Sequence, residues 1–215
     1  VVRIEDGGRR LISIVDDGIG IDGSDMATVF EPHATSKISN SDDLVAISTM
    51  GFRGEALASI AAVSRVEVVS KTADSIQANK LSIDCGERGA VTPCSGDRGT
   101  TIEVRNIFYK LPARRKFLRT ANTEMTHIVE HFTRIALANC HLDMTLIHNE
   151  RQLHHLVGNQ SLKERIGALL SNAVAADLIE TDRKEKGVKI HALLSPPSMA
   201  RANSKFQYIF LNGRY

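Results

Sequence analysis

Two apolar, β-branched runs, residues 1–5 and 11–15, flank Asp6-Gly7-Gly8. A short glycine-rich connection between two such runs is a hairpin signal, so the sheet starts antiparallel. Further strand-like stretches follow at residues 66–71, 79–85 and 101–108, separated by polar turns. Helical spacing interrupts them. Residues 55–63 place Ala56, Leu57, Ile60 and Ala61 on one face, and a longer helix, capped by Asn122, carries Met125, Ile128, Val129, Phe132, Ile135 and Ala136 at i, i+3, i+4, i+7 spacing. A hairpin at 141–148 and 152–157 comes next. Gly158-Asn159 then marks a boundary, because Ser161 with Glu164 forms a capping box opening a helix at 162–170. A hairpin turning at Lys186-Gly187, a strand at 207–211 and an Asn212-Gly213 turn complete the chain. Strands and helices in blocks predict an α+β layered sheet rather than a doubly wound one, with one domain over 1–158 and a partial second over 159–215.

The 215 residues suffice for between one and two domains. Lys+Arg 27 against Asp+Glu 25 leaves a net charge of only +2, so any basic site must be local. No apolar run approaches the roughly 18 residues of a membrane span, and no signal or acyl-anchor pattern opens the chain, from which a cytoplasmic, membrane-free setting is expected. Cys85, Cys94 and Cys140 are odd in number and lack metal-knuckle spacing, which predicts reduced thiols. Both ends fall beside strand-like runs, and the expectation is a piece of a longer protein.

From Asp16 to Gly54 the chain is loop-like, punctuated by Gly18, Gly20, Gly23, Pro32, Gly51 and Gly54. Asp16-Asp17-Gly18-Ile19-Gly20 ends a strand. A carboxylate there can accept from an exocyclic amine while the glycines let backbone lie against a flat ring; alone, the same five residues also read as an ordinary Asp-Gly turn. Gly51-Phe52-Arg53-Gly54 leads into the helix from Glu55, where free N–H groups and the helix dipole suit an anion, although a glycine-rich helix entry without a ligand reads equally. Neither common phosphate-loop spacing is present. Between the two lies His33-Ala34-Thr35-Ser36-Lys37, two hydroxyls and an ammonium suited to covering a polyphosphate. Gly99-Thr100-Thr101 opens a strand on which a hydroxyl can reach the same ligand.

In order and spacing, Asp16-x-Gly18-x-Gly20, Thr35-Ser36-Lys37, Gly51 to Leu57 and Gly99-Thr100 resemble the GHKL ATPases, a superfamily that includes gyrases, heat-shock chaperones and histidine kinases. With Pro112-Ala113-Arg114-Arg115-Lys116-Phe117-Leu118, they are similar to its mismatch repair branch, the MutL family. The resemblance implies a GHKL (Bergerat) two-layer sandwich lacking its first helix, followed by a partial ribosomal-protein-like βαβ domain. It implies that Asp16 binds the adenine amine of ATP, that Gly18, Gly20 and Thr100 shape the base pocket, and that Thr35, Ser36, Lys37, Gly51, Phe52, Arg53 and Gly54 close over the phosphates. ATP would then order this lid and drive homodimerisation, signalling to mismatch-recognition and downstream repair proteins in a bacterial nucleoid or a nucleus. The general-base Glu and the Mg²⁺-binding Asn of the superfamily would precede Val1, so hydrolysis is expected of a longer parent and not of this chain alone. Alternatives are another GHKL machine of topoisomerase or chaperone type, and a non-hydrolysing DNA-binding module.

Arg114, Arg115, Lys116 and Arg119 around Phe117 form the best local DNA footprint, the competing reading being a solvated helix entry that Phe117 and Leu118 anchor to the core. Arg214 is a second DNA candidate by the resemblance. His127-Ile128-Val129-Glu130-His131 matches a zinc-peptidase pattern, but it falls on the polar face of its helix and no metal site is expected.

Overall fold

The computed structural model of the protein describes residues 1–31 and 54–215. β1 (Val2–Glu5) and β2 (Leu11–Asp16) pair antiparallel around a 3₁₀ turn at Asp6–Gly8, as the opening hairpin signal requires. Helix α1 (Ala56–Ala61) precedes β3 (Arg65–Lys71) and β4 (Ala78–Asp84). Two short strands that sequence patterning missed follow, β5 (Glu87–Arg88) and β6 (Thr92–Cys94), and then β7 (Gly99–Arg105). β4 turns into β5 through Cys85-Gly86, both at positive φ (50° and 89°), a tight hairpin without the usual Asn or Asp. β7 stops at Arg105, three residues before the expected end, because Asn106 and Phe108 take positive φ and break the ladder.

After α2 (Pro112–Arg115) and α3 (Ala121–Ala138) come β8 (Met144–His148) and β9 (Arg151–Leu156). The described strands run β5-β4-β3-β7-β2-β1-β8-β9, with β6 also on β4. β1 pairs with β8 in parallel, whereas β1–β2, β2–β7, β3–β7, β3–β4, β4–β5 and β4–β6 are antiparallel. The rest of the chain holds α4 (Leu162–Leu169), α5 (Asn172–Ala176) and the antiparallel ribbon β10 (Ile179–Glu185) with β11 (Val188–Leu194). The expected strand at 207–211 does not form. Leu211 and Arg214 make a single bridge around Asn212-Gly213, whose positive φ values (50° and 76°) confirm the turn.

The chain divides into two compact units, residues 1–128 with 146–153, and residues 129–145 with 154–215. In the first, alternation sends Val66, Val68, Leu81, Ile83 and Val104 to one sheet face, where Ala61 of α1 and Met26 and Phe30 of the preceding segment cover them. Full burial of such a side chain contributes about 1.5–3 kcal/mol. α3 begins one residue before its expected cap: the Thr120 hydroxyl accepts from Thr123 N–H, and Asn122 lies inside the helix. Its buried side includes Met125, Phe132, Thr133, Ala136 and Leu137, while the predicted Ile135 is exposed.

In the second unit the capping box is present as read: Ser161 Oγ accepts from Glu164 N–H, and Glu164 Oε2 accepts from Ser161 N–H at 2.8 Å. On the same helix Arg165 is fully buried, its Nη2 donating to the carbonyls of Cys140 (2.9 Å), Leu142 (2.8 Å) and Val157 (2.9 Å). One guanidinium nitrogen thus ties the segment entering β8 to the segment leaving β9. His154 stacks on Phe132 with centroids 5.9 Å apart, and burial pushes its imidazole below the ordinary value of 6.5.

Two outcomes are expected. Arg165→Leu strips the donor from three carbonyls and lowers stability by about 3 kcal/mol, read from the urea midpoint of the chain. For His154, the unfolded chain takes up a proton near its ordinary value while the folded chain resists, so stability is full above that value and falls as pH drops below it. His154→Phe should therefore flatten the fall in urea midpoint between about pH 7 and 5.

Candidate functional site

The first unit brings one end of four strands together. In register, Asp16 of β2 pairs with Thr100 of β7, Thr100 with Ser70 of β3, and Ser70 with Asn79 of β4. Directly opposed residues of antiparallel strands share a face, so these four polar side chains form a row at one end of the face whose middle is the core. Asp16, Gly18, Gly20 and Thr100, expected together, do converge here. Ser70 and Asn79 were missed; the signal was available in Ser70, the hydroxyl that continues the inward alternation of Val66 and Val68.

Ser70 is fully buried and organises the row. Its Oγ accepts from Ile21 N–H at 2.8 Å, lies 2.9 Å from the Gly99 carbonyl and 2.9 Å from Thr100 Oγ1. The hydroxyl therefore joins β3, β7 and the segment after β2. Asp16 is exposed, and its Oδ1 accepts from Gly18 N–H at 3.0 Å, which folds the chain back beneath the carboxylate. Arg98 Nε donates to the Gly18 carbonyl at 3.3 Å. Asp22 Oδ1 accepts from Ser24 N–H and Oγ, and those bonds hold its carboxyl below the ordinary range.

Two glycines are sterically required. Gly20 has φ +78°, and a Cβ there would lie 2.1 Å from the Lys71 carbonyl oxygen; Gly99 has φ +113°, and a Cβ would lie 2.0 Å from the Asp16 carbonyl oxygen. The result is an acceptor carboxylate set beside backbone bare of side chains, an arrangement that suits a flat ring bearing an amino group. Of the remaining candidates, Gly54 lies just before α1 at φ +64°, and the helix entry at Glu55 has no side-chain cap bond. Thr35, Ser36, Lys37, Gly51, Phe52 and Arg53 lie outside the described residues.

The opposite face of the same strands is charged. A cavity of about 530 Å³ is lined there by Arg65, Glu67, Ser82, Asp84, Glu103 and Arg105. The Tyr109 hydroxyl hydrogen-bonds Asp84 and, with Lys110 and Arg65, holds that carboxyl below its ordinary value; burial and Asp84 push Tyr109 up.

Elsewhere in the first unit, Arg114, Arg115 and Lys116 stand exposed at the end of α2, and Phe117 is 85% exposed. Phe117 does not anchor the segment to the core. Arg119 Nη1 lies 3.1 Å from His127 Nε2. Arg214, in the second unit, is half-buried beside the Asn212-Gly213 turn. The zinc-peptidase pattern is not assembled: His127 faces the Arg119 guanidinium and Glu130 pairs with Arg134. Among the described residues, the metal-type donors that do cluster are Glu180, Asp182 and His191, exposed on the ribbon, with the imidazole between the two carboxylates.

Ser70→Ala removes a hydroxyl that bonds two buried groups and the half-buried Ile21 N–H, which it leaves without that acceptor. A loss of about 2 kcal/mol in urea unfolding is expected, whereas Ser75→Ala, at a half-buried hydroxyl outside the row, should change stability by less than about 0.5 kcal/mol.

The family model described as "DNA mismatch repair protein, C-terminal domain" matches residues 166–215. The DNA mismatch repair protein MutL of Clostridium perfringens is 39% identical over 214 residues, covering 100% of this chain and 32% of that protein. That of Chromohalobacter salexigens is 40% identical over 218 residues, covering 99% and 34%. The chain thus spans about a third of the length of the relatives it matches. Among solved structures, the Aquifex aeolicus MutL ATPase domain complexed with ADP superposes with a TM-score of 0.71 at 27% identity, over 90% of this chain and 67% of that one. The N-terminal domain of a DNA repair protein shares the fold, with a TM-score of 0.80 at 24% identity. Over its whole length, the chain is a homologue of the N-terminal ATPase region of the MutL mismatch repair proteins.

Proposed function

We propose that this chain is the nucleotide-binding region of an ATP-switched DNA mismatch repair mediator. The observation that carries the reading is the position of Asp16, an exposed carboxylate at the end of a buried polar row and against glycine backbone that admits no side chain. Asp16 accepts the adenine amine, Gly18 and Gly20 lie along the base, and Thr100 closes the pocket with Ser70 behind it. Thr35, Ser36, Lys37, Gly51, Phe52, Arg53 and Gly54 cover the phosphates. ATP, with its Mg²⁺, supplies the charge that orders this cover, and the difference between its contacts and those of ADP drives the switch. That the Aquifex aeolicus relative was solved with ADP supports a nucleotide here.

In this reading residues 1–158 form a GHKL sandwich and 159–215 part of a ribosomal-protein-like second domain. In the same reading, hydrolysis, homodimerisation and signalling to mismatch-recognition and downstream repair proteins are activities of a full MutL-type protein, of whose length this chain spans about a third. DNA is held by Arg114, Arg115, Lys116 and Arg119 of the first unit, with Arg214 of the second unit as a separate candidate. A DNA-binding module without nucleotide function is the competing reading, favoured by the exposure of the basic segment.

Calorimetry of ATP with Mg²⁺ on this chain and on Asp16→Ala tests the assignment. Losing a charge-assisted hydrogen bond weakens binding by at least about tenfold, while loss of the exposed Asp16–Gly18 bond lowers stability by no more than about 1 kcal/mol. Equal affinity in both proteins, or none in either, overturns the pocket.

A further inference from the structure

We infer that Glu180, Asp182 and His191 form a binding site for a divalent transition-metal ion of the Zn²⁺ class, in which one ion ties β10 to β11 across the ribbon. The site lies in the second unit and is independent of the nucleotide and DNA assignments above.

The three donors come from two strands. In register, Asp182 of β10 stands directly opposite His191 of β11, and Glu180 lies two residues along β10 on the same ribbon face. The imidazole Nδ1 is 3.1 Å from Asp182 Oδ1, and its Nε2 is 3.6 Å from Glu180 Oε1. One ligand atom from each residue lies within 4.8 Å of the other two. Zn²⁺ bonds to imidazole nitrogen and carboxylate oxygen are about 2.0–2.2 Å long, so two donors on one ion stand up to about 4.4 Å apart. Exposed side chains close the remaining gap by turning about their own χ angles. The imidazole also selects the class of ion, since Mg²⁺ and Ca²⁺ prefer sites built from oxygen alone.

The charge around the cluster points to a cation. Glu180 and Asp182 make no ion pair with a lysine or arginine among the described residues, although Lys184 and Lys189 stand opposite each other further along the same face. The remaining carboxylate of the ribbon, Glu185, is taken by Arg183 at 2.7 Å. Two carboxylates thus turn to a single imidazole, which in its neutral form offers a lone pair and no compensating charge. The ribbon also gains from such an ion. Among the described residues β10 and β11 pair only with each other, and an isolated two-stranded ribbon is marginally stable in water. An ion bonded to Glu180 and Asp182 on one strand and to His191 on the other fixes the register of the pair.

Calorimetric titration of ZnCl₂ into the nucleotide-free full chain, in a buffer that does not chelate metal, tests this. His191→Ala and Asp182→Asn, both at exposed positions, should each weaken the site by at least about tenfold. The chain has 8 histidines, so the loss at His191 is read as one site fewer against the background of the others. Amide hydrogen exchange gives a readout confined to the ribbon: at about ten times its dissociation constant, Zn²⁺ should slow exchange across residues 179–194 about tenfold in the wild-type chain and not in His191→Ala. Identical isotherms for the wild-type chain and His191→Ala overturn the site, as does Zn²⁺ binding that leaves ribbon exchange untouched. Mg²⁺ held as strongly as Zn²⁺, and equally by both proteins, shows that the carboxylates alone hold a cation and overturns the imidazole ligand. Saturation only above about 1 mM Zn²⁺ marks an adventitious ion and overturns the proposal. The Asp16→Ala calorimetry stands apart from all of these outcomes.

Discussion

One buried hydroxyl holds the working end of the sheet. Ser70, on β3, reaches the amide of Ile21 in the segment after β2 and the Gly99 carbonyl and Thr100 hydroxyl at the start of β7. That junction returns the segment after β2 against β3, while the pairing of β2 with β7 sets Asp16 opposite Thr100 and beside Gly99. The close approach at Gly99, where a methyl group would meet the Asp16 carbonyl, completes the constraint from the other side. Polar satisfaction and steric exclusion thus fix the same few ångströms of backbone, which is what pre-organises a recognition surface.

How far the sequence predicts such a site depends on whether the signal is local. The opening hairpin, the Ser161–Glu164 box and the Lys186-Gly187 and Asn212-Gly213 turns were legible because their chemistry lies within a few residues. Asp16, Gly18, Gly20 and Thr100 were legible as motif residues, but their neighbours Ser70 and Asn79 were not, since strand register rather than spacing along the chain brings them in. Cys85-Gly86 hid a hairpin because Cys is not a turn residue by habit; the φ of +50° it adopts is imposed by the β4–β5 pairing. The strand expected at 207–211 failed for the opposite reason: apolar composition without a partner makes no ladder.

Burial also reassigned residues that periodicity had placed. Ile135 sat on the predicted inner stripe of α3 yet is exposed, while Thr133 and Leu137 are buried, so the packed stripe is displaced from the pattern of large apolar side chains. Phe117 went the other way. An aromatic ring in a helix-entry motif reads as an anchor, and here Leu118 is the half-buried neighbour while the ring stays in solvent. In both cases hydrophobicity alone misjudged direction, because direction follows from how the helix end is tied down.

The parallel pair of β1 with β8 joins residues about 140 positions apart, Val2 opposite Leu146. Made on a ribosome at roughly 5–20 residues per second, the chain exposes the free edge of β1 for something like 7 to 30 seconds before its partner emerges. During that interval the opening hairpin presents unsatisfied amides and an apolar flank to whatever is nearby. The charged residues of that strand, Arg3 and Glu5, stand where a guard against mispairing with a neighbouring nascent chain is needed, and β8 closes the window when it pairs with β1.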